Sequence, residues 1–293
     1  MQNLKKQMSN VVIFGASGQL GHCFKNIAEK GGLSFMYFPL ETEANILDYA
    51  ALKKVLDLYR PAYVINCAAY TAVDKAEDEP EIARKVNKTG VENLSQVCLE
   101  SDCTLIHIST DFVFKGDQST PRAEDSATAP VNVYGQTKLE GEQAAGALLK
   151  KYFIIRTGWL YSEYGNNFVK TMLKFGAERD ELRVVADQAG TPTYAMDLAA
   201  CVMHIVESNS AEYGIYHYSN EGIASWYDFA KAIFEISGIS VKVTPVKTTE
   251  YATRALRPAY SVMDKSKIKK TFSIGIPYWR DSLTSCIKNL KNK

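Results

Sequence analysis

The chain has 293 residues, 46% hydrophobic and 23% charged, with 34 Lys and Arg against 33 Asp and Glu for a net charge of +1. This is the profile of a folded globular protein of one large domain or two small ones, and the balanced charge excludes a broad basic surface for nucleic acid, so a small molecule is the expected partner. No apolar run approaches the ~18 residues of a membrane span, and residues 1–9 lead into a Gly-rich turn instead of a signal-peptide core, which predicts a cytoplasmic protein, neither exported nor membrane-bound.

The first predicted element is the strand Val11–Phe14, which ends in Gly15-Ala16-Ser17-Gly18-Gln19-Leu20-Gly21 and runs into a helix over 23–30. A second strand over 33–38 stops at Pro39, a helix over 48–59 closes at Arg60-Pro61, and a third strand follows over 63–67. Pro80 opens a helix to 99 with Ile82, Val86, Val91, Leu94 and Val97 in helical phase, and a fourth strand covers 104–109. A loop over 110–132, a helix over 133–149 and a fifth strand over 152–157 continue the alternation. Strands alternating with helices of this length predict right-handed crossovers, and so an α/β fold: a doubly wound parallel-sheet Rossmann domain over 10–160. Past Trp159 the rhythm loosens into helices over 167–175, 195–207 and 226–236, strands near Val184, Ile215 and Val241, and a terminal helix from Tyr278. Segments near 194–219 are expected to return to the first sheet, with 161–193 and 220–293 forming a smaller C-terminal substrate-binding lobe. The basic tail 288–293 reads as a solvated helix end.

The six cysteines (Cys23, Cys67, Cys98, Cys103, Cys201, Cys286) lack a Cys-x-x-Cys pair and read as reduced, mostly buried thiols. The four histidines (His22, His107, His204, His217) show no ligand spacing, so no metal site is assigned.

Two clusters carry chemistry. Gly15-x-x-Gly18-x-x-Gly21 sits between strand and helix, where absent side chains admit a pyrophosphate to the backbone and the helix N-terminus faces its charge; a Gly-rich turn with no ligand is the plain alternative. Tyr134 and Lys138 stand four positions apart on one helix face, where an ammonium favours the phenolate and makes the phenol a better acid. The same spacing at Tyr49/Lys53 and Tyr227/Lys231 shows that it also arises by chance. Only the middle pair follows the fourth strand, whose end, Ser109-Thr110-Asp111, offers hydroxyls at the carboxyl edge of the sheet. With the switch point expected between strands one and four, the glycine turn and Ser109-Thr110 are expected to meet.

In their order, the glycine turn, Asn87, Ser109-Thr110-Asp111 and Tyr134-x-x-x-Lys138 resemble the extended short-chain dehydrogenases/reductases that act on nucleotide sugars. More narrowly, the stretches 66–77, 109–114, 132–142 and 165–168, with Asp187-Gln188-x-Gly190-x-Pro192-Thr193 and Arg257-Pro258-x-x-Ser261, are similar to the dTDP-4-dehydrorhamnose reductases, a likeness that covers 10–290. It implies Tyr134 as the proton donor, Lys138 as the cation that lowers its pKa and holds the nicotinamide ribose, and Thr110 as the hydroxyl on the substrate oxygen. The likeness places Ser17, Gln19, Leu20, Ala68, Ala69 and Ser109 with Gly15, Gly18, Gly21, Tyr134 and Lys138 around the cofactor, and Val73, Asp74, Thr110, Asp111, Asn167 and Gln188 around the substrate. Four residues keep two readings each. Asp48 either receives the adenine amino group or caps a helix, and Asn87 either ties backbone near the nicotinamide or is a surface helix residue. Trp159 either stacks on the sugar or packs in the core, and Arg257 either grips a diphosphate in bidentate fashion or forms an exposed ion pair.

Related 4,6-dehydratases carry an acid directly after the Thr-Asp pair; Phe112 stands there in this chain, which leaves carbonyl reduction. The resemblance therefore implies NAD(P)H-dependent reduction of the C4 ketone of dTDP-4-dehydro-6-deoxy-L-mannose to dTDP-L-rhamnose, for surface polysaccharide. Two rivals stay open: C4-ketoreduction of another nucleotide-deoxysugar, because the second lobe sets specificity, and a non-catalytic regulatory subunit resembling the β subunit of methionine adenosyltransferase. The cofactor is NADPH or NADH, since the second strand ends in Phe38-Pro39-Leu40 with Glu41 beyond, and neither charge that discriminates at the 2′ position is in place. Some members of the family also bind Mg²⁺ at a dimer interface. No carboxylate cluster for it is visible here, and composition does not fix whether the chain is a homodimer.

Overall fold

The computed structural model describes residues 9–292; positions 1–8 of the lead and residue 293 at the end of the basic tail lie outside the described residues. Strands β1 (Val11–Phe14), β2 (Met36–Tyr37), β3 (Tyr63–Asn66), β4 (Thr104–Thr110), β5 (Tyr152–Thr157) and β6 (Gly214–His217) form one parallel sheet in the order β2-β1-β3-β4-β5-β6. The expected doubly wound α/β sheet is present. Its strands are apolar almost throughout because both faces are covered, and alternate side chains enter different cores. Val11, Ile13, Ile65, Ile106 and Phe153 pack with helix α1 (Gln19–Gly31) and with the helix Ala195–Ser208. Val12, Phe14, Val64, Leu105 and Ile154 pack on the other side with the helices Tyr49–Tyr59, Gly90–Glu100 and Val133–Leu148.

The strand order corrects one expectation. After β2 the chain crosses to the far side of β1 with a single crossover, so the reversal falls between β1 and β3, and β3 separates strands one and four. The glycine turn therefore meets the loop after β3, and Ser109-Thr110 lies one strand further along. A second difference is the strand expected over 33–38, which shrinks to Met36–Tyr37. Gly32, in the left-handed region at φ 61°, returns its N–H to Ala28 and Glu29, and Leu33 N–H also bonds Ala28, so the helix closure consumes the first half of that strand.

The helix expected over 80–99 is interrupted. Pro80–Arg84 leads into one π turn, Lys85–Thr89, before Gly90–Glu100 resumes α geometry. The extra residue per turn rotates Asn87 inward, where it is buried. A third apolar core joins Phe168–Glu178, Trp226–Ser237 and Trp279–Lys291 through Val169, Met172, Phe229, Ile233, Trp279 and Leu283. Beside it Glu181–Val185 pairs in parallel with Lys242–Val246, where strands near Val184 and Val241 are expected. Two-residue ladders, Leu160–Tyr161 with Thr193–Tyr194 and Ala189–Gly190 with Ala224–Ser225, are too short to leave a period in the sequence. Among the described residues no helix is long and apolar enough to cross a membrane.

Candidate active site

The glycine turn closes on itself before α1 begins. Gly18 N–H bonds Gly15 O at 3.1 Å, and His22 N–H makes the first intrahelical bond, to Gly18 O, so the N–H groups of Gln19, Leu20 and Gly21 form the first turn. Gly15 has φ +77°, and a Cβ there would lie 2.4 Å from Ala68 N; a Cβ on Gly21 would lie 2.4 Å from Gly15 O. Neither position tolerates a side chain. The turn, with Ala68 and Ala69 after β3, walls a cleft of about 380 Å³ that also takes in Glu41 and Asn45 to Leu47. Backbone donors at a helix start, in a cleft closed to side chains, suit a dinucleotide pyrophosphate. Leu20 sends its side chain into the core, leaving its N–H as its contribution. Asp48 is exposed and caps its helix by accepting Ala51 N–H at 3.0 Å. Asn87 is no surface residue: its Oδ1 accepts Tyr70 N–H at 2.9 Å, and its amide donates to Tyr70 O and Thr137 Oγ1.

Helix α2 (Val133–Leu148) carries Tyr134 and Lys138. Its start is fixed by Asn132, whose Oδ1 accepts Gly135 N–H and whose amide donates to Leu256 O, both at 2.7 Å. Tyr134, in the first turn, has its phenol beside the Thr110 hydroxyl at the end of β4. Thr110 Oγ1 in turn donates to Asp111 Oδ1 at 3.0 Å and accepts Phe112 N–H at 3.2 Å. One turn on, Lys138 is 1% exposed; its Nζ donates to Ile108 O at 2.7 Å and lies 3.3 Å from His107 Nε2. Burial sets the electrostatics of all three groups. It lifts Tyr134 to about 12, against the Thr110 hydroxyl and with help from the Asp111 charge. It lowers Lys138 to about 8, opposed by Glu142 and Cys67, and raises Asp111 to about 6, opposed by the Ser261 and Thr110 hydroxyls. Burial dominates the phenol, and the lysine Nζ is bonded to the β4 backbone. The Ser109 hydroxyl donates to Glu142 at 2.5 Å, in a network with Arg156.

A second cavity, about 470 Å³, is walled by Asp74, Gln188 and Arg257 with Phe168, Trp226 and Arg254. Arg257 grips Asp74 with two bonds, 2.6 and 3.1 Å, and holds its carboxyl below the usual range. The ion pair named as an alternative is therefore part of the cavity wall. Trp159, at φ 49°, stacks on Trp226 with ring centres 3.5 Å apart. Gln188 accepts Trp226 Nε1–H and donates to Thr248. Asn167 caps its helix and donates to Gln19 Oε1 at 2.9 Å, joining two residues assigned to different ligands. Val73 opens the short helix that carries Asp74. The two cavities share no wall residue, and Thr110, Tyr134 and Lys138 line neither; the stretch from Ala68 to Asp74 runs from one to the other. The chance pairs lie elsewhere, with Tyr49 bonded to Glu100 and Lys53 to Asp57.

A family model described as the RmlD substrate binding domain matches residues 8–292. The dTDP-4-dehydrorhamnose reductase of Aggregatibacter actinomycetemcomitans is 39% identical over 287 residues, 94% of this chain and 97% of that one. The chain belongs to the dTDP-4-dehydrorhamnose reductase family. Two crystal structures of such reductases are similar over 96% of this chain and 99% of theirs: one from Bacillus anthracis in complex with NADP, at TM-score 0.92 and 39% identity, and one from Clostridium acetobutylicum, at 0.91 and 41%. Within this reductase family fold, the residues that sequence reasoning passes over are Asn66, His107, Glu142, Arg156 and Trp226. His107 and Asn66 are partners 41 positions apart, brought together by strand register, and only a pairing of β3 with β4 reveals them. Among the described residues no group of three or more His, Cys, Asp or Glu side chains is placed to hold a metal ion.

Proposed function

We propose that the chain reduces the C4 ketone of dTDP-4-dehydro-6-deoxy-L-mannose to dTDP-L-rhamnose, in surface polysaccharide synthesis in the cytoplasm. When bound, reduced nicotinamide supplies the hydride, as NADPH or NADH. The turn from Gly15 to Gly21 holds the pyrophosphate, and Ala68-Ala69 with the Asn87-clamped loop form the opposite wall. Residues 10–160, with the return near 194–219, hold the dinucleotide; 161–193 and 220–293 hold the nucleotide sugar through Gln188 and Arg257, joined by Trp159 at the end of the first part. Tyr134 delivers the proton to the oxygen developing at C4, Thr110 orients that oxygen, and Lys138 fixes the nicotinamide ribose. The carrying observation is the Thr110–Tyr134 hydroxyl pair set one helical turn from a buried lysine, with Phe112 where a dehydratase needs an acid.

The test is loss of reduced-nicotinamide absorbance with the dTDP ketosugar, run with NADH and with NADPH, and with its uridine-linked counterpart. Tyr134→Phe is expected to lower turnover ~10²–10⁴-fold, the usual contribution of general acid catalysis, while cofactor affinity stays within a few-fold. Retained turnover in the variant removes the assigned acid, and a wild type that binds cofactor without consuming it removes the substrate.

A further inference from the structure

Asn66 and His107 are register partners on β3 and β4, side by side on the face that Lys138 covers. Their donors and acceptors can be counted. Asn66 Oδ1 accepts Ala68 N–H at 3.0 Å, which fixes the amide so that its NH₂ faces His107 Nδ1 at 3.1 Å. An amide NH₂ only donates, so Nδ1 must accept, and a neutral ring then carries its hydrogen on Nε2. His107 is completely buried beside a lysine, and both facts hold it neutral. The Nε2–H consequently points at Lys138 Nζ, 3.3 Å away. An ammonium there is donor against donor; a neutral amine accepts the hydrogen and still donates to Ile108 O.

We infer that His107 is a positioning residue for the reaction: locked by Asn66 as its Nε2–H tautomer, it aims a hydrogen-bond donor at Lys138 Nζ and favours the neutral amine. Other groups facing the lysine are Glu142 on its own helix, Cys67 after β3 and the Ile108 carbonyl on β4. Glu142, Cys67 and the carbonyl favour the ammonium, so the donor from His107 is the opposing hydrogen bond. Burial already lowers the lysine's proton affinity, and the donor from His107 acts in the same direction, which eases exchange of the lysine proton. The importance of that exchange rests on the reductase reading above; the tautomer and its effect on Lys138 do not.

The experiment uses the full chain and no sugar. Long-range ¹H–¹⁵N NMR of protein labelled at its four histidines reads the tautomer, with His107 assigned by its loss in His107→Leu. Protonated Nε2 with bare Nδ1 from pH 6 to 9 is expected; an Nδ1–H tautomer or an imidazolium overturns the inference. Side-chain ¹³C NMR of labelled lysines then follows Lys138, assigned by its loss in Lys138→Met. His107→Leu removes the donor, and Asn66→Asp forces the opposite tautomer, so both are expected to raise the Lys138 midpoint by about one pH unit or more, a tenfold change in proton affinity. Asn66→Asp in the His107→Leu background is expected to add little. Unmoved midpoints, or an undiminished shift in the double variant, overturn it. If Asn66→Asp fails to fold, the wild-type tautomer and His107→Leu still decide. Turnover on the ketosugar enters none of these readings, so failure of the proposed substrate leaves them intact.

Discussion

Asp111 keeps its proton to about pH 6 because it is 2% exposed and the Thr110 and Ser261 hydroxyls only partly offset its burial. An acid whose folded pKa is raised contributes stability that is present below its unfolded value near 4 and lost as pH rises through 6. Above that, the chain carries a buried carboxylate at a cost. Asp111→Asn is therefore expected to raise the thermal midpoint at pH 8, by the equivalent of about 2–3 kcal/mol, and to leave it nearly unchanged at pH 4. Melting curves of both proteins at the two pH values check it; an equal effect at both would remove ionisation as the cause. Asp111, Thr110, Tyr134 and Lys138 are legible in the sequence because their types and spacing state their chemistry. Glu142 is not, for it reads as one more carboxylate on a helix until β5 brings Arg156 against it.

Among the elements, α2 does most to set the candidate site, and its first turn rests on Asn132. That one side chain caps the helix and also ties it to Leu256, next to Arg257 in the wall of the larger cavity. Asn132→Ala is expected to cost about 1–2 kcal/mol, as lost N-caps do. The same change should lower kcat/KM more than Asn167→Ala, whose cap lies on a helix that carries no member of the Thr110, Tyr134 and Lys138 set; denaturant titration and steady-state rates separate the two effects. Helices and strands of the first 150 residues follow from periodicity, Pro80 and the glycines. The π turn at Lys85–Thr89 does not, because no residue type in it marks the wider turn that brings Asn87 inward. The single crossover after β2 is equally silent, since composition does not say on which side of β1 the next strand lands.

At the scale of the whole molecule, sheet and surrounding loops are tied by charges taken out of water. Arg156 and Glu142 are each 3% exposed and bonded at 2.7 Å, and Glu142 also accepts from Ser109. Arg156 reaches on to the Glu124 carbonyl, and the Glu124 carboxylate accepts His217 N–H on β6. Arg156→Met strands a buried carboxylate and is expected to destabilise by about 3–5 kcal/mol, with much of the loss recovered when Glu142 is also replaced by Leu. Chemical denaturation of the single and double variants tests this; equal destabilisation in both would show that packing, not the orphaned charge, is at fault. On the other side, the exposed pair Arg254–Asp78 and the partly buried pair Arg257–Asp74 link the segment after Tyr251 to the loop and short helices after β3.

Two of the chain's three tryptophans, Trp159 and Trp226, stack face to face; Trp226 is in the wall of the cavity assigned to the nucleotide sugar, and the third, Trp279, is buried in the apolar core against which both pack. At 3.5 Å the Trp159 and Trp226 rings leave no room for a sugar between them. A ligand there either covers the outer face of Trp226 or parts the rings, and both disturb their excited states. The protein therefore carries its own optical reporter: dTDP should change intrinsic emission in the wild type and change it much less in Trp226→Phe, with no label attached.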